Sequence, residues 1–106
     1  MSNFEQRKKG YEAKFLQDQE IQFKIRAIRN KLVGEWAAKL FKPEDDSAYI
    51  KEVRLADLEK PGDDDIIEKL IIDFQSKSIN IEKEEIINKI NECEKLAIEV
   101  YKKQET

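Results

Sequence analysis

Few residues of this chain could perform chemistry, because its 106 amino acids include no histidine and only one cysteine. Imidazole-ligated zinc sites, di-iron sites and nucleophiles activated by histidine are therefore excluded. Carboxylate or lysine catalysis would need a cleft that shifts the pKa values of its groups, and a core of this size offers little room for one. The composition predicts a protein that is not an enzyme and holds no cofactor.

Two candidate reactive groups have simpler interpretations. The acidic run at residues 63–65 could be a cation site, but it lacks the alternation and the distal glutamate of a calcium loop. The run follows Pro61 and Gly62, so we expect Asp63 to cap a helix and the next two aspartates to lie in its first turn. Cys93 lies on an apolar helical stripe, which predicts a buried, inert thiol, with a redox sensor as the alternative.

The N-terminal segment, residues 1–20, carries the pattern most typical of a binding surface. Phe4, Tyr11 and Phe15 are spaced so that they lie within roughly 40° of one another on a helix. Four basic residues accompany them: Arg7, Lys8, Lys9 and Lys14. Aromatic anchors flanked by basic side chains are typical of a helix that binds in a groove of a partner protein. The alternative is loose packing of this segment on the protein's own helices.

Basic charge is concentrated in the N-terminal third. Residues 1–42 contain ten lysines and arginines against five acidic residues, whereas residues 43–106 contain ten against eighteen. This asymmetry indicates an acidic or phosphate-bearing partner, although solvated helix faces also vary in charge. No helix-turn-helix punctuation, glycine-rich loop or stacking platform accompanies the charges, so we do not expect nucleic acid to be the partner.

Helices must position these residues, because three glycines and two prolines are too few for a strand-and-turn architecture. A chain with 41% charged residues and a mostly aliphatic apolar remainder suits amphipathic helices with solvated faces. We predict an all-α fold: a four-helix bundle over residues 21–106, with a long first helix and a protruding, flexible N-terminal arm over residues 1–20. The predicted helices run from Ile21 to Phe41, from about Asp46 to Leu58, from Asp63 to about residue 74, and from about residue 81 onward.

Apolar residues at helical spacing define the predicted buried faces. In chain order these are Ile21, Ile25, Ile28, Leu32, Trp36 and Leu40; Tyr49, Ile50, Val53, Ala56 and Leu58; Ile66, Ile67, Leu70, Ile71 and Phe74; and Ile86, Ile90, Cys93, Ala97 and Val100, flanked by Ile87 and Tyr101. The stripe of the first helix is rotated by roughly 80° from the aromatic stripe of the arm. We therefore expect the arm to face an external partner and Trp36 to pack in the core.

Nothing in the sequence predicts a membrane or secreted protein. No apolar run approaches the roughly 20 residues of a membrane span, and the N-terminus lacks the apolar stretch of a secretory signal. A single cysteine fits a reducing compartment. We expect a cytoplasmic protein that is monomeric when free and does not insert into a membrane.

Five blocks of residues follow one another in a characteristic order: Tyr11-Glu12-Ala13-Lys14-Phe15, Phe23-Lys24, Arg29-Asn30-Lys31-Leu32-Val33-Gly34, Trp36-Ala37-Ala38 and Gly62-Asp63-Asp64-Asp65-Ile66. In this order they resemble the zeta subunit of alphaproteobacterial F-type ATP synthase, an ATPase inhibitor. The resemblance covers about residues 4–75 well, and the last helix matches mainly in its apolar pattern. Gln17 stands where the family usually has histidine, so imidazole-based pH sensing does not carry over.

The resemblance implies a mechanism. Family members insert the N-terminal arm, as a helix, between the alpha, beta and gamma subunits of the catalytic head, and thereby block rotation in the direction of ATP hydrolysis. In this chain the arm would be residues 2–19, with Phe4, Tyr11 and Phe15 in apolar pockets. Arg7, Lys8, Lys9 and Lys14 would pair with acidic groups. The protein would be cytoplasmic and peripheral at the inner membrane through the synthase.

Two alternatives remain open at the level of sequence. A helical adaptor could bind an anionic partner, RNA or an acidic protein, through the basic N-terminal third; its binding would fall steeply with salt. An enzyme or nucleotide sensor could hold a small ligand in its bundle, and ATP or ADP would then raise its melting temperature. No motif in the sequence supports this second alternative.

Overall fold

The computed structural model describes residues 18–57 and 62–105, the last of these by its backbone only. These residues form four helices: α1 (Gln19–Phe41), α2 (Asp46–Ala56), α3 (Asp64–Ser76) and α4 (Lys83–Glu105). No strand occurs in these two stretches, and the all-α, four-helix prediction is confirmed. Within the same stretches, no helix is both long and apolar enough to span a membrane. The predicted arm up to Gln17 and the predicted core residue Leu58 lie outside the described residues.

Side-chain caps and a left-handed residue set the ends of the first two helices. The Asp18 carboxylate accepts hydrogen bonds at 2.9 and 3.1 Å from two backbone amides in the first turn of α1. At the other end, Lys42 has φ 52° and is followed by Pro43, which cannot continue a helix. Asp45 then caps α2 by accepting from the Ala48 amide at 3.2 Å. The break that Pro43 predicts is confirmed.

Helix α1 is the central element of the fold. It packs along α4 on one side and against α2 on another, while α3 bridges α2 and α4. The main core joins all four helices through Val33, Ala37, Ala38, Tyr49, Val53, Ile66, Ile67, Leu70, Phe74, Ile86, Ile90 and Cys93. A second cluster joins the N-terminal half of α1 to the C-terminal half of α4 through Ile25, Ala97 and Tyr101. The two long helices therefore run antiparallel.

The predicted buried faces of α2, α3 and α4 are largely confirmed. Their buried members include Tyr49, Val53, Ile66, Ile67, Leu70, Phe74, Ile86, Ile90, Cys93 and Ala97. On α4, Tyr101 is buried and Val100 is half-buried, so these two exchange their predicted places. Ile50, Ala56, Ile71 and Ile87 are half-buried at the edges of the core.

The buried face of α1 differs from the predicted one. Its buried residues are Ile25, Arg29, Asn30, Val33, Gly34, Ala37 and Ala38. Only Ile25 belongs to the predicted stripe; Ile21, Ile28, Leu32 and Trp36 are half-buried, and Leu40 is 38% exposed. Because α2 and α4 contact different sides of α1, its buried surface is wider than one apolar stripe. It includes small residues, against which a neighbouring helix packs closely, and polar residues that bind groups on the neighbouring elements.

At Gly34 the backbone of α1 lies close to that of α2. A Cβ at this position would lie 3.1 Å from Ile50 Cγ2 and 3.2 Å from Ile50 Cα, tighter than ordinary van der Waals contact. The glycine therefore lets the two helix backbones come together. Two residues further along, and on roughly the opposite side of α1, Trp36 packs its ring edge-to-face against Phe74, with ring centroids 5.8 Å apart. The prediction that Trp36 packs on the core is confirmed, although the indole is half-buried rather than fully enclosed.

Candidate functional site at the start of the first helix

The seven predicted partner-binding residues lie outside the described residues: Phe4, Arg7, Lys8, Lys9, Tyr11, Lys14 and Phe15. Their role therefore stays a prediction. The structure describes the residues that follow them directly, from Asp18 along the first half of α1, and the groups packed around this part of the helix. This region is the base to which the predicted arm is joined.

A network of two arginines, two aspartates and one asparagine ties this base to the rest of the fold. Arg26 binds Asp57 through two guanidinium nitrogens, with Nη2 to Oδ1 at 2.6 Å, and the same Nη2 lies 2.9 Å from Asp63 Oδ1. Arg29 Nη1 donates to the same Asp63 oxygen at 2.8 Å. Asn30 Nδ2 donates to Asp57 Oδ2 at 2.7 Å. The network joins α1 to the end of α2 and to the start of α3.

Three members of this network are buried, so it differs from an ion pair on the surface. Arg29, Asn30 and Asp57 are only 3%, 4% and 5% exposed. Burial alone would raise the pKa of Asp57, but the hydrogen bonds from Arg26 and Asn30 and the two positive charges outweigh it and hold this pKa below its ordinary value. The bond to Asp57 likewise raises the pKa of Arg26. Asp57 is therefore a buried carboxylate that stays ionised because its neighbours compensate the lost hydration.

Two sequence-based interpretations are corrected here. Asp63 occupies the N-cap position of α3, but its side chain makes no capping hydrogen bond and pairs instead with Arg26 and Arg29. Arg29, one of the ten basic residues of the N-terminal third, is buried and not part of a solvated or partner-facing surface. The sequence shows two aspartates, Asp57 and Asp63, on either side of the Pro61-Gly62 break, but it does not identify their arginine partners. Because two basic residues of α1 are engaged inside the fold, fewer remain for a polyanion, which weakens the adaptor alternative.

An open groove lies beside the network, between α1 and α2. It encloses about 490 Å³ and is lined by Phe23, Arg26, Ala27, Asn30, Ser47, Ile50, Lys51, Arg54, Leu55 and Asp57. A second depression of about 440 Å³ lies toward α4 and shares Phe23 and Arg26 with the first. Phe23 is 66% exposed and Leu55 is 50% exposed. The apolar stripes do not predict this groove, since both Phe23 and Leu55 fall outside them. The available signal was the presence of large apolar residues out of phase with a stripe.

The other polar groups of interest are built into the packing. The Tyr49 hydroxyl donates to Asp73 Oδ2 at 2.7 Å, and burial together with this carboxylate raises the pKa of the phenol. Cys93 is buried, as predicted, and burial raises the pKa of its thiol. Such a thiol is mostly protonated at neutral pH and therefore a poor nucleophile. Among the described residues, no group of three or more side chains could hold a metal ion.

One known protein family matches both the N-terminal segment and the four helices of this chain. A family model described as ATPase inhibitor subunit zeta matches residues 1–100. No curated protein matches the chain. The family match therefore covers the seven predicted partner-binding residues as well as the four helices almost to the end of α4.

Proposed function

This chain belongs to the ATPase inhibitor subunit zeta family, and we propose that it inhibits ATP hydrolysis by the catalytic head of an F-type ATP synthase. The observation that carries the proposal is the extent of the match, which includes residues 1–17 together with the helices. A regulatory protein needs no catalytic group of its own, and the absence of histidine from the sequence agrees with such a role.

The proposed mechanism assigns different tasks to the two parts of the chain. The arm, residues 1–20, enters the interface of the alpha, beta and gamma subunits as a helix and blocks rotation. Phe4, Tyr11 and Phe15 fill apolar pockets, because their spacing places them on one side of a helix. Arg7, Lys8, Lys9 and Lys14 pair with carboxylates nearer the rim of that interface. The protein would then be cytoplasmic and held at the inner membrane through the synthase.

The described helices support this mechanism by fixing the base of the arm. Asp18 starts α1, and within three turns the helix is held by Ile25 against α4 and by Arg26 and Arg29 against Asp57 and Asp63. A blocking element must resist displacement by a rotating subunit, so a firm attachment is what the mechanism requires. The ion network and the apolar contact together supply it.

The test is ATP hydrolysis by the cognate catalytic head with the purified protein added. Because Tyr11 and Phe15 are proposed anchors, Tyr11→Ala and Phe15→Ala should each weaken inhibition by about 1–2 kcal/mol, the scale of interface anchors. Gln6→Ala and Gln17→Ala, which lie off the aromatic stripe, are the matched controls and should inhibit as the parent does. Melting curves of all four should match the parent. If the aromatic variants inhibit as well as the parent, the wedge mechanism is wrong.

A further inference from the structure

The groove between α1 and α2 leaves large apolar side chains in water. Phe23 and Leu55 are 66% and 50% exposed, and between them Ala27 and Ile50 continue the apolar lining. Three other large apolar residues are exposed in the described ranges, Leu40, Ile72 and Leu96, but none of them lines the groove. An apolar surface of this kind with a shaped cavity is typical of a protein-binding site.

The border of the groove is positively charged. Lys51 and Arg54 lie one turn apart on α2, are exposed, and form no ion pair with any residue of 18–57 or 62–105. Arg26, at the opposite wall, is paired with Asp57 and Asp63, so the positive charge of the border comes from Lys51 and Arg54. The acidic residue in the lining is Asp57, whose charge is already shared among Arg26, Arg29 and Asn30. The groove therefore combines exposed apolar side chains with a border that favours acidic groups.

This charge argues against the two occupants that the protein itself could supply. Residues 1–17 contain four basic and two acidic residues, so the arm would bring more positive charge to a positive border. A second copy that docked through the same surface would place Lys51 and Arg54 against their own counterparts, since a two-fold interface is self-complementary. A partner of opposite charge is the occupant that complements this border.

We propose that this groove is a docking site for a helical segment on the catalytic head of the synthase whose apolar face is bordered by aspartate or glutamate. The inference rests on the proposed function for the identity of the partner. Apolar anchors of that segment contact Phe23 and Leu55, and its carboxylates lie near Lys51 and Arg54, the arrangement of a helix held in a groove.

The position of the groove gives this contact a consequence for inhibition. Phe23 follows Asp18 by five residues, which is about 7–8 Å along α1. A partner held in the groove thus lies next to the point where the arm begins, and binding of the arm becomes effectively intramolecular. Binding in the groove should therefore set the protein concentration that gives half-maximal inhibition. The arm should set the maximal inhibition, because it blocks rotation.

The experiment measures both binding and inhibition with the full chain. Phe23→Ala combined with Leu55→Ala should weaken binding of the labelled protein to the catalytic head about tenfold, the scale for loss of an apolar anchor pair. The concentration for half-maximal inhibition should rise by the same factor, with maximal inhibition unchanged. Ile72→Ala combined with Leu96→Ala is the matched control, because these residues are 57% and 45% exposed but lie outside the groove.

A charge-reversal pair tests the chemistry of the partner. Lys51→Glu combined with Arg54→Glu should weaken binding at least as much, whereas Lys95→Glu on the exposed face of α4 should not. Binding within twofold of the parent in both groove variants overturns the docking site while leaving the proposed function intact. Binding without any inhibition by the parent refutes the proposed function alone, and no binding to the head refutes both.

Two measurements on the free protein test whether a second copy of the chain or its own arm occupies the groove. If sedimentation shows a parent dimer that the Phe23→Ala and Leu55→Ala pair dissociates, a second copy occupies the groove and the proposal is wrong. If amide exchange at residues 4–15 of the free parent is slowed and this protection disappears in the same variant, the arm occupies the groove, which also overturns it. A parent that is monomeric and shows no such protection supports the proposal.

Discussion

Replacing Asp57 by asparagine tests whether the buried ion network stabilises the base of the arm. The Asp57 carboxylate accepts two bonds from Arg26, one from Asn30 at 2.7 Å and a long one from Arg29 at 3.5 Å. An asparagine of the same shape would turn one acceptor into an amide donor, facing either a guanidinium or the Asn30 amide. The variant therefore loses the negative charge and acquires a clash between donors at a site 5% exposed.

The size of the stability loss depends on which partners Arg26 and Arg29 retain in the variant. Removing one partner of a buried ion pair costs about 3–5 kcal/mol of unfolding free energy. Arg26 is 38% exposed at its side chain, so water can replace part of its interaction. Arg29 retains Asp63 at 2.8 Å and Asn30 at 2.8 Å. We therefore expect Asp57→Asn to cost about 3 kcal/mol, which lowers the melting temperature of a domain of this size by roughly 12–24 °C.

The assay is urea denaturation followed by helical circular dichroism, at neutral pH and through the acid range. Because the folded pKa of Asp57 is lowered, its contribution is present above the ordinary aspartate value of about 3.9 and is lost as the pH falls through the folded value. The stability difference between parent and variant should therefore be full at neutral pH and shrink in acid. Asp64→Asn, at an exposed position in the first turn of α3, is the control and should cost less than about 1 kcal/mol. A loss below about 1 kcal/mol for Asp57→Asn, or a difference that does not change with pH, would show that the ionised Asp57 carboxylate does not stabilise the fold.

Two further predictions concern packing around α1. Trp36→Ala should lower the free energy of unfolding by about 2–3 kcal/mol, less than the 3–5 kcal/mol of a fully buried aromatic residue, because the indole is half-buried against Phe74. Urea denaturation measures this loss, and a variant as stable as the parent would make Trp36 a surface residue available for binding. Gly34→Ala should lower stability by about 1 kcal/mol, since overpacking against the Ile50 backbone outweighs the roughly 1 kcal/mol gained in helix propensity. The same denaturation series checks it, and a stabilised variant would show that α2 moves away without cost.

The apolar pattern predicted most of the fold, and its failures on α1 have a common cause. Ile66, Leu70 and Phe74 could be placed in the core because a helix that packs on one side shows its buried face as an apolar stripe. Helix α1 packs on two sides, and part of its buried surface is polar or small, as at Arg29 and Gly34. Such residues are buried only because specific partners meet them, so spacing along one helix cannot identify them.

For the candidate site, too, residues that share one helix could be predicted, whereas contacts between helices could not. The arm residues could be proposed from spacing and family resemblance, and their role stays a prediction because they lie outside the described residues. The ion network could not be derived, since it pairs Arg26 with Asp57 and Asp63 over separations of 31 and 37 residues. Such pairings depend on how the helices come together, and many other acidic and basic pairs in the sequence were equally plausible.

The order in which the chain is synthesised matters for this protein because its first helix depends on its last. Ile25 is buried against Ala97 and Tyr101, near the opposite end of the sequence. During synthesis the N-terminal arm emerges first, but the apolar support beneath its base does not exist until α4 has left the ribosome and packed. A chain interrupted before α4 would carry every residue of the proposed arm and still lack the apolar part of its support. If the arm acts as proposed, complete synthesis of the chain is therefore a condition for presenting it.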